Sequence, residues 1–156
     1  MTVGPDEFRG ALRKFASGIT IVTAAVDAAF YGMTCTSFAS VSLEPPLVLV
    51  SLENDSHTLR AVTRAGTFAA SMLNAAQEDI ARAFSTPGPK SFDTIDHKLA
   101  GNGAPLVLDA IALLECDVVE VVAAGDHHII VGSVQWCETN GGDPLLYFDR
   151  AYRRLG

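Results

Sequence analysis

The chain has 156 residues and a formal net charge of −7 at pH 7, with 49% hydrophobic and 19% charged residues. The length favours a single domain over residues 1–156, and the composition excludes a disordered chain, which would be far more polar. The acidic balance, without a lysine or arginine cluster along the sequence, excludes a nucleic-acid surface, because binding a polyanion requires concentrated positive charge.

Targeting and cysteine patterns indicate a cytoplasmic protein. No apolar run approaches the roughly 20 residues that span a bilayer, and the N-terminal segment lacks the basic and apolar regions of a signal peptide. We therefore expect no membrane association. Cys35, Cys116 and Cys137 are odd in number and far apart, so neither a disulfide framework nor a structural zinc site is indicated. We expect all three to be buried.

Periodicity predicts the elements of the first third of the chain. Helical spacing predicts a helix from about Asp6 to Ser17, and β-branched runs predict a hairpin with strands Ile19 to Val26 and Phe30 to about Phe38. Pro45-Pro46 then marks a strand entry or a barrel corner. Leu47 to Leu52 carries apolar residues on both faces, which predicts a strand buried on both sides.

Capping residues predict where helices begin and end in the middle of the chain. A helix is expected over about Thr58 to Arg64, with Ser56 as N-cap and Gly66 as its end. Thr67 to Leu73 reads as a strand, and Asn74 to Gln77 forms a capping box for a helix that reaches about Phe84.

The second half is predicted to be irregular at first and then mostly strand. Residues 85–97 contain breakers, and Gly101 to Leu106 lacks the third glycine of a Rossmann fingerprint. Alternating residues predict strands Ile111 to Val122 and His127 to about Cys137, joined at a Gly-Asp turn, and a short last strand at Leu145 to Phe148.

A ribbon of hydroxyl side chains without formal charge runs from Thr34 to Ser42. Hydroxyls and extended backbone amides can donate to a phosphate and to ring carbonyls, so the ribbon suits a planar phosphorylated ligand. The alternative is a Ser/Thr-rich edge strand that faces water. The helix that follows presents free amides at its start, so Ser56, His57 and Thr58 are candidate phosphate contacts; the alternative there is a routine helix cap.

Two adjacent histidines, His127 and His128, lie in a predicted strand. Successive strand side chains point to opposite faces, so the pair is not suited to one metal ion, and we expect no metal site. A histidine beside a glycine turn is otherwise a solvated surface group.

The ribbon resembles the signature of the short-chain flavin reductases, the flavin reductase-like family with an FMN-binding split barrel. The resemblance rests on Gly32-Met33-Thr34, Ser37-Phe38, Ser40-Val41-Ser42 and Pro45-Pro46. It extends in order along the chain through Phe8-Arg9, Phe15 to Thr23, Gly66-Thr67-Phe68, Gln77 to Phe84, Phe92, Gly103 to Leu106, Glu115-Cys116, Gly125-Asp126-His127, Ile130 to Gly132, Leu145 to Phe148 and Tyr152.

The resemblance implies a mostly β fold, a closed antiparallel split β-barrel of about six strands and Greek-key character, with a few short flanking α-helices. It implies a homodimer with flavin sites near the interface. The implied activity is NADH- or NADPH-dependent reduction of FMN or FAD, by hydride transfer from the nicotinamide C4 to the flavin N5. The reduced flavin would pass to a separate monooxygenase component.

The resemblance also implies which residues form the flavin site. Flavin contacts are expected at Thr34, Thr36, Ser37, Ser40, Val41, Ser42, Ser51, Ser56, His57 and Thr58. Phe92 is the aromatic that would approach the flavin, or else a core aromatic on a loop. His127, with His128 as a second choice, would be the catalytic residue that orients the nicotinamide or stabilises charge on the reduced flavin.

Two other functions share this fold. One is a flavin-binding carrier or redox sensor, which would bind flavin without oxidising NADH. The other is a flavin-dependent oxidase of the pyridoxamine-phosphate-oxidase type, which the sequence disfavours because no basic residues for a substrate phosphate are evident near the ribbon. The sequence leaves open FMN or FAD and NADH or NADPH, since Arg60, Arg64, Arg82 and Arg150 have no assigned position.

Overall fold

The computed structural model describes residues 2–156, which form three helices and twelve strands. The helices are α1 (Pro5–Leu12), α2 (His57–Ala65) and α3 (Glu78–Ser85). The strands are β1 (Ser17–Gly18), β2 (Thr20–Val26), β3 (Ala29–Cys35), β4 (Ala39–Ser42), β5 (Leu47–Glu53), β6 (Thr67–Met72), β7 (His97–Leu99), β8 (Pro105–Val107), β9 (Ala112–Ala124), β10 (His127–Thr139), β11 (Leu146–Phe148) and β12 (Ala151–Arg153).

A seven-stranded sheet in the order β3-β2-β6-β9-β10-β5-β4 is the centre of the molecule. A three-stranded sheet β1-β11-β12 and the pair β7-β8 accompany it, and every strand pairing is antiparallel. The prediction of a mostly β, antiparallel fold with a few short helices is confirmed. Within residues 2–156 no ladder joins the edge strands β3 and β4, so the hydrogen-bonded closure that we expected is not observed.

One face of this sheet packs against α2 and forms the main core. Val22, Val50, Phe68 and Ile130 are fully buried there, together with Val62 of the helix. The helix begins and ends as predicted, because the Ser56 side chain accepts a hydrogen bond from the Leu59 amide and Gly66 adopts a left-handed φ of 70°.

Strand β5 differs from its prediction, since only one of its faces is buried. Val48, Val50 and Leu52 point into the core, whereas Leu47, Leu49 and Ser51 are half-buried on the other side. The apolar run therefore has one buried face, and the face that carries Leu47 and Leu49 is only half-buried.

The N-terminal helix is shorter than predicted. It ends at Leu12 because Ser17 and Gly18 pair with β11 as strand β1, which requires the chain to turn first. None of its residues is buried; Phe8 and Leu12 are 54% and 56% exposed, and Phe15, which follows the helix, is 75% exposed.

The predicted capping box does not cap the helix, because α3 begins at Glu78 with Gln77 as its N-cap and no side-chain cap; Asn74 to Gln77 form a braced turn before it. Gln77 Oε1 accepts from the Asn74 amide at 2.9 Å, and Asn74 Oδ1 accepts from the Ala76 amide at 2.7 Å. The Gln77 side chain also donates to the Leu108 carbonyl, which holds this turn against β8, and α3 begins at Glu78.

Two of the three cysteines are buried as predicted. Cys35 and Cys116 lie in the core, but Cys137 is exposed. The reason is that β10 extends beyond β5, so its final residues pair with β9 alone. In the described residues no group of three or more His, Cys, Asp or Glu is arranged to hold a metal ion. No helix among residues 2–156 has the length and apolar character needed to cross a membrane.

Candidate functional site

The first half of the hydroxyl ribbon is fixed by backbone groups. Ser37 Oγ donates to the Ser51 carbonyl at 2.9 Å and accepts from the Ser51 amide at 3.1 Å, so it joins the ribbon to β5. Thr34 Oγ1 donates to the Ala81 carbonyl at 2.7 Å. Thr36, between them, is exposed and makes no such bond, so its hydroxyl faces outward.

Two adjoining cavities open beside this part of the ribbon and share Thr36, Tyr147 and Arg150; together we call them the ribbon groove. One has a volume of about 380 Å³ and is lined by Ile19, Thr34, Thr36, Arg82, Ser85, Tyr147, Arg150 and Tyr152. The other has a volume of about 430 Å³ and is lined by Arg9, Leu12, Arg13, Phe15, Ser17, Thr36, Ser37, Tyr147, Asp149 and Arg150.

Positive charge enters this groove from elements distant in the sequence. Arg82 comes from α3, where Glu78 lies 2.6 Å away and its hydrogen bond raises the pKa of the guanidinium. The same guanidinium stands 4.7 Å from the centre of the Tyr152 ring. Arg150 comes from the turn between β11 and β12. The expectation of a site without basic residues is therefore wrong, because folding brings Arg82 and Arg150 beside Thr36.

The second half of the ribbon lies elsewhere. Ser40 pairs with Val48 and Ser42 with Leu47, with a bulge at the exposed Val41 between them. The seven residues of β5 span about 20 Å at roughly 3.3 Å per residue. Ser42 is thus at one end of β5, and Glu53, opposite His127, is at the other.

The start of α2 lies at the His127 end. Ser56 uses its side chain to cap the helix, as predicted, by accepting a hydrogen bond from the Leu59 amide. His57 is exposed, with its Nδ1 3.1 Å from the Arg60 guanidinium. Thr58 is only 3% exposed, so its side chain is withdrawn from the surface on which a phosphate contact was expected.

His127 occupies the first position of β10, after the turn at Gly125. Its Nδ1 lies 2.7 Å from the Asp126 carboxylate, and this hydrogen bond lowers the pKa of Asp126. The Asn54 amide donates to the Asp126 carbonyl at 3.0 Å, which ties the hairpin to the segment entering α2. By register, His127 shares a sheet face with Ser51, the residue that holds Ser37.

His128 lies on the opposite side of the sheet. It contacts Asn54 Oδ1 at 2.7 Å and lines a separate cavity of about 360 Å³ with Arg60, Arg64 and Val121. The predicted division of the two histidines between faces is therefore observed, and Arg60 and Arg64 are placed away from the ribbon groove.

Phe92 packs as a core aromatic. It is 5% exposed, and its ring centre lies 5.0 Å from that of Phe84 and 5.7 Å from that of Phe30. A Cβ at Gly32 would lie 3.0 Å from the Phe92 ring. Phe92 therefore packs against β3 at Gly32, which precedes Thr34 by two residues. It does not line the groove.

Cys35, which lies between two residues of the groove in the sequence, is a neutral thiol. Burial, with a smaller contribution from Glu53, raises the pKa of Cys35 to about 12, so this thiol is neutral between Thr34 and Thr36. The groups that can donate to a ligand are thus hydroxyls, including those of the tyrosines, and guanidinium groups, beside one carboxylate and an apolar wall. These donors suit a planar ring that carries a phosphate, because hydroxyls can bond ring carbonyls and guanidinium groups bind phosphate oxygens.

The molecule is thus an antiparallel β protein with a groove whose donors suit a nucleotide. Comparison with known families makes this specific, since the family described as "Flavin reductase like domain" matches residues 12–156. The chain belongs to the flavin reductase-like family.

Individual relatives agree. The "4-hydroxyphenylacetate 3-monooxygenase, reductase component" of Thermus thermophilus is 36% identical over 151 residues, covering 96% of each chain. A "Probable flavin reductase" of Rhizobium meliloti is 40% identical over 150 residues, which are 95% of this chain but 48% of that protein, so this chain spans about half its length. The solved structure of the NADH:FAD oxidoreductase SgcE6 of Streptomyces globisporus has a TM-score of 0.93 and 37% identity, covering 100% of this chain and 98% of that one.

Proposed function

We propose that this chain is an NADH- or NADPH-dependent flavin reductase that transfers a hydride from the nicotinamide C4 to N5 of FMN or FAD. Reduced flavin would then pass to a separate monooxygenase component. The observation that carries the proposal is the match along the entire chain to an NADH:FAD oxidoreductase, with a groove whose donors suit a flavin nucleotide. The Thermus relative, a reductase component by name, supports the partner.

The residues of the chain would act by binding and orientation, while the flavin supplies the redox chemistry. Thr36 and the backbone around Ser37 would hold the ring, and Tyr147 would give it an aromatic wall. Ser51 shares its sheet face with His127, so a nicotinamide beside the ring would come within reach of the imidazole. His127 would then orient the carboxamide or stabilise negative charge on the reduced ring. Ser56 and His57 remain candidate phosphate contacts, and Ser40, Val41 and Ser42 candidate contacts for a longer ligand.

The fold and its assembly are part of the proposal. We infer a split barrel that assembles as a homodimer, because β5 and β10 carry a second apolar face that includes Leu49, Ile129 and Val131. These residues are only half-buried within residues 2–156. A second copy related by a twofold axis would cover this face on both protomers at once. Ser37 and Ser51 border it, which would bring each flavin site near the interface.

The decisive experiment is oxidation of NADH and NADPH by the purified protein, with and without oxygen, in the presence of FMN, FAD or riboflavin. We expect saturable turnover with a preferred flavin. His127→Ala should lower kcat by about tenfold or more, the effect of removing one charge-stabilising group. His128→Ala, on the other sheet face, should change kcat less than about twofold.

Each rival function has its own outcome. Tight flavin binding without nicotinamide oxidation would replace the reductase with a carrier or sensor. Oxidation of pyridoxamine phosphate by the flavin-loaded protein would establish the oxidase instead.

A further inference from the structure

Arg150 has a backbone conformation that an arginine rarely adopts. Phe148 pairs with Ala151, so Asp149 and Arg150 form a two-residue hairpin loop. Their φ angles are 51° and 63°, both left-handed. This is the type I′ geometry, in which glycine is strongly favoured at the second position. Any residue with a Cβ strains the backbone at this left-handed position. A non-glycine residue in a strained conformation is a candidate for a functional role.

The charges around Arg150 leave its guanidinium without a counter-ion. Arg13 lies 3.2 Å and Lys14 3.7 Å from the Asp149 carboxylate, and Arg82 is paired with Glu78. Among residues 2–156 no carboxylate lies within 4.0 Å of the Arg150 side chain. Asp149 therefore neutralises Arg13 and Lys14, whereas Arg150 is left, within residues 2–156, with an unpaired positive charge.

The position of Arg150 in the groove is central. It lines both cavities, with Arg82 and Thr36 in one and Leu12 and Phe15 in the other. Leu12 and Phe15 give the second cavity an apolar wall, beside Arg9 and Arg13, which are both ion-paired, while Arg82 gives the first a second cation. A ligand with an apolar planar part and an anionic part fits this division, because guanidinium groups bind phosphate in bidentate fashion.

We propose that Arg150 is the phosphate anchor of the ribbon groove. It binds a phosphate or pyrophosphate group of a nucleotide whose planar part packs against Phe15 or Tyr147, and Arg82 assists from the opposite wall. The proposal rests on the proposed function for the identity of the nucleotide. The phosphate belongs either to the flavin nucleotide or to the nicotinamide nucleotide, and the test separates the two.

The test compares wild type with Arg150→Gly, which suits the turn, and Arg150→Lys, which keeps the charge. Arg64→Ala is the charge-matched control, since Arg64 lies in a different cavity. Dissociation constants for riboflavin, FMN and FAD are measured by flavin fluorescence, and KM values for NADH and NADPH by turnover with riboflavin. We expect Arg150→Gly to weaken binding of the phosphorylated ligand by about tenfold to 100-fold, the usual effect of losing a charged hydrogen bond.

The ligands that bind more weakly to Arg150→Gly show which nucleotide supplies the phosphate. Weaker FMN and FAD binding with unchanged riboflavin binding assigns the flavin phosphate. Higher KM values for NADH and NADPH with unchanged flavin binding assign the nicotinamide nucleotide, and an effect on NADPH alone assigns its 2′-phosphate. Arg150→Lys should recover part of the loss. Equal weakening for riboflavin and the nucleotides, or no change at all, would overturn the anchor.

Titration with inorganic pyrophosphate keeps the anchor testable if the protein proves not to be a reductase. Calorimetric binding to wild type and to Arg64→Ala but not to Arg150→Gly would support the anchor without any turnover. Equal binding to all three, or binding to none, would refute it even if the reductase activity is present.

Discussion

Single residues of the ribbon groove are held by the backbone of neighbouring elements. Ser37 is fixed by both backbone groups of Ser51, and Thr34 by the Ala81 carbonyl. These bonds give the groove a defined shape before a ligand enters, which reduces the entropy lost on binding. Thr36 remains free to donate, so it is the hydroxyl of this group best placed to contact a ligand.

The buried thiols predict a loss of stability in alkaline solution. Burial is the main reason that the pKa values of Cys35 and Cys116 are raised to about 12. In the unfolded chain a thiol ionises near pH 8.5, so above that pH the unfolded state binds fewer protons and the free energy of unfolding falls. The contribution of each thiol to the free energy of unfolding is fully present below its unfolded pKa. Between pH 8 and 10 each thiol lowers the free energy of unfolding by about 1–2 kcal/mol.

Urea unfolding at pH 7.5 and pH 10 tests this. Cys35→Ala should be less stable than wild type at pH 7.5 because it leaves a cavity, but it should lose less stability on going to pH 10. The exposed Cys137 is the control, and Cys137→Ala should show the wild-type loss. If Cys35→Ala loses as much stability as wild type, the alkaline effect has another origin.

At the scale of elements, β10 depends on a close approach to β6 and β9. A Cβ at Gly132 would lie 2.5 Å from the Phe68 ring and 3.1 Å from the Cβ of Cys116. Phe68 is fully buried, so its ring has no room to move away. The bulge between Val131 and Gly132 lies at the same point of the β9–β10 ladder. A glycine here permits the sheet and its largest core aromatic to pack together.

Gly132→Ala should therefore lower the free energy of unfolding by about 1–3 kcal/mol, the usual cost of overpacking a core. Urea or thermal unfolding measures it. Gly18→Ala is the matched control, because Gly18 also lies in a strand but a Cβ there meets nothing within 4 Å. The control should stay within about 0.5 kcal/mol of wild type. Equal effects of the two substitutions would show that the Phe68 contact does not limit the packing.

At the scale of the whole molecule, the half-buried apolar face of β5 and β10 predicts a dimer. Sedimentation should give twice the 16.5 kDa mass of the chain. Ile129→Asp introduces a charge at the centre of that face and should yield monomers with weakened flavin binding. Leu99→Asp is the control, since Leu99 is exposed on β7 outside this face, and it should remain dimeric. A monomeric wild type, or a dimeric Ile129→Asp, would contradict this assembly.

Local interactions explain which features could be predicted. The cap at Ser56, the end of α2 at Gly66 and the turn at Gly125 depend on residues within a few positions of one another, and each was found where expected. The family signature was equally readable, because it is a series of short segments in a fixed order. The bounds of α1 were not, since they depend on the pairing of β1 with the distant β11.

Local patterns of apolar, hydroxyl and turn residues were sufficient to predict the class of fold, the order of its elements and the family. They did not predict which of those residues share a site, because that depends on tertiary contacts. The tertiary structure brought Arg82 and Arg150 to Thr36, buried Phe92 and Thr58, and placed Ser42 and His127 at opposite ends of β5. The reason is physical: strand register and packing join residues far apart in the chain, and no local pattern encodes those distances.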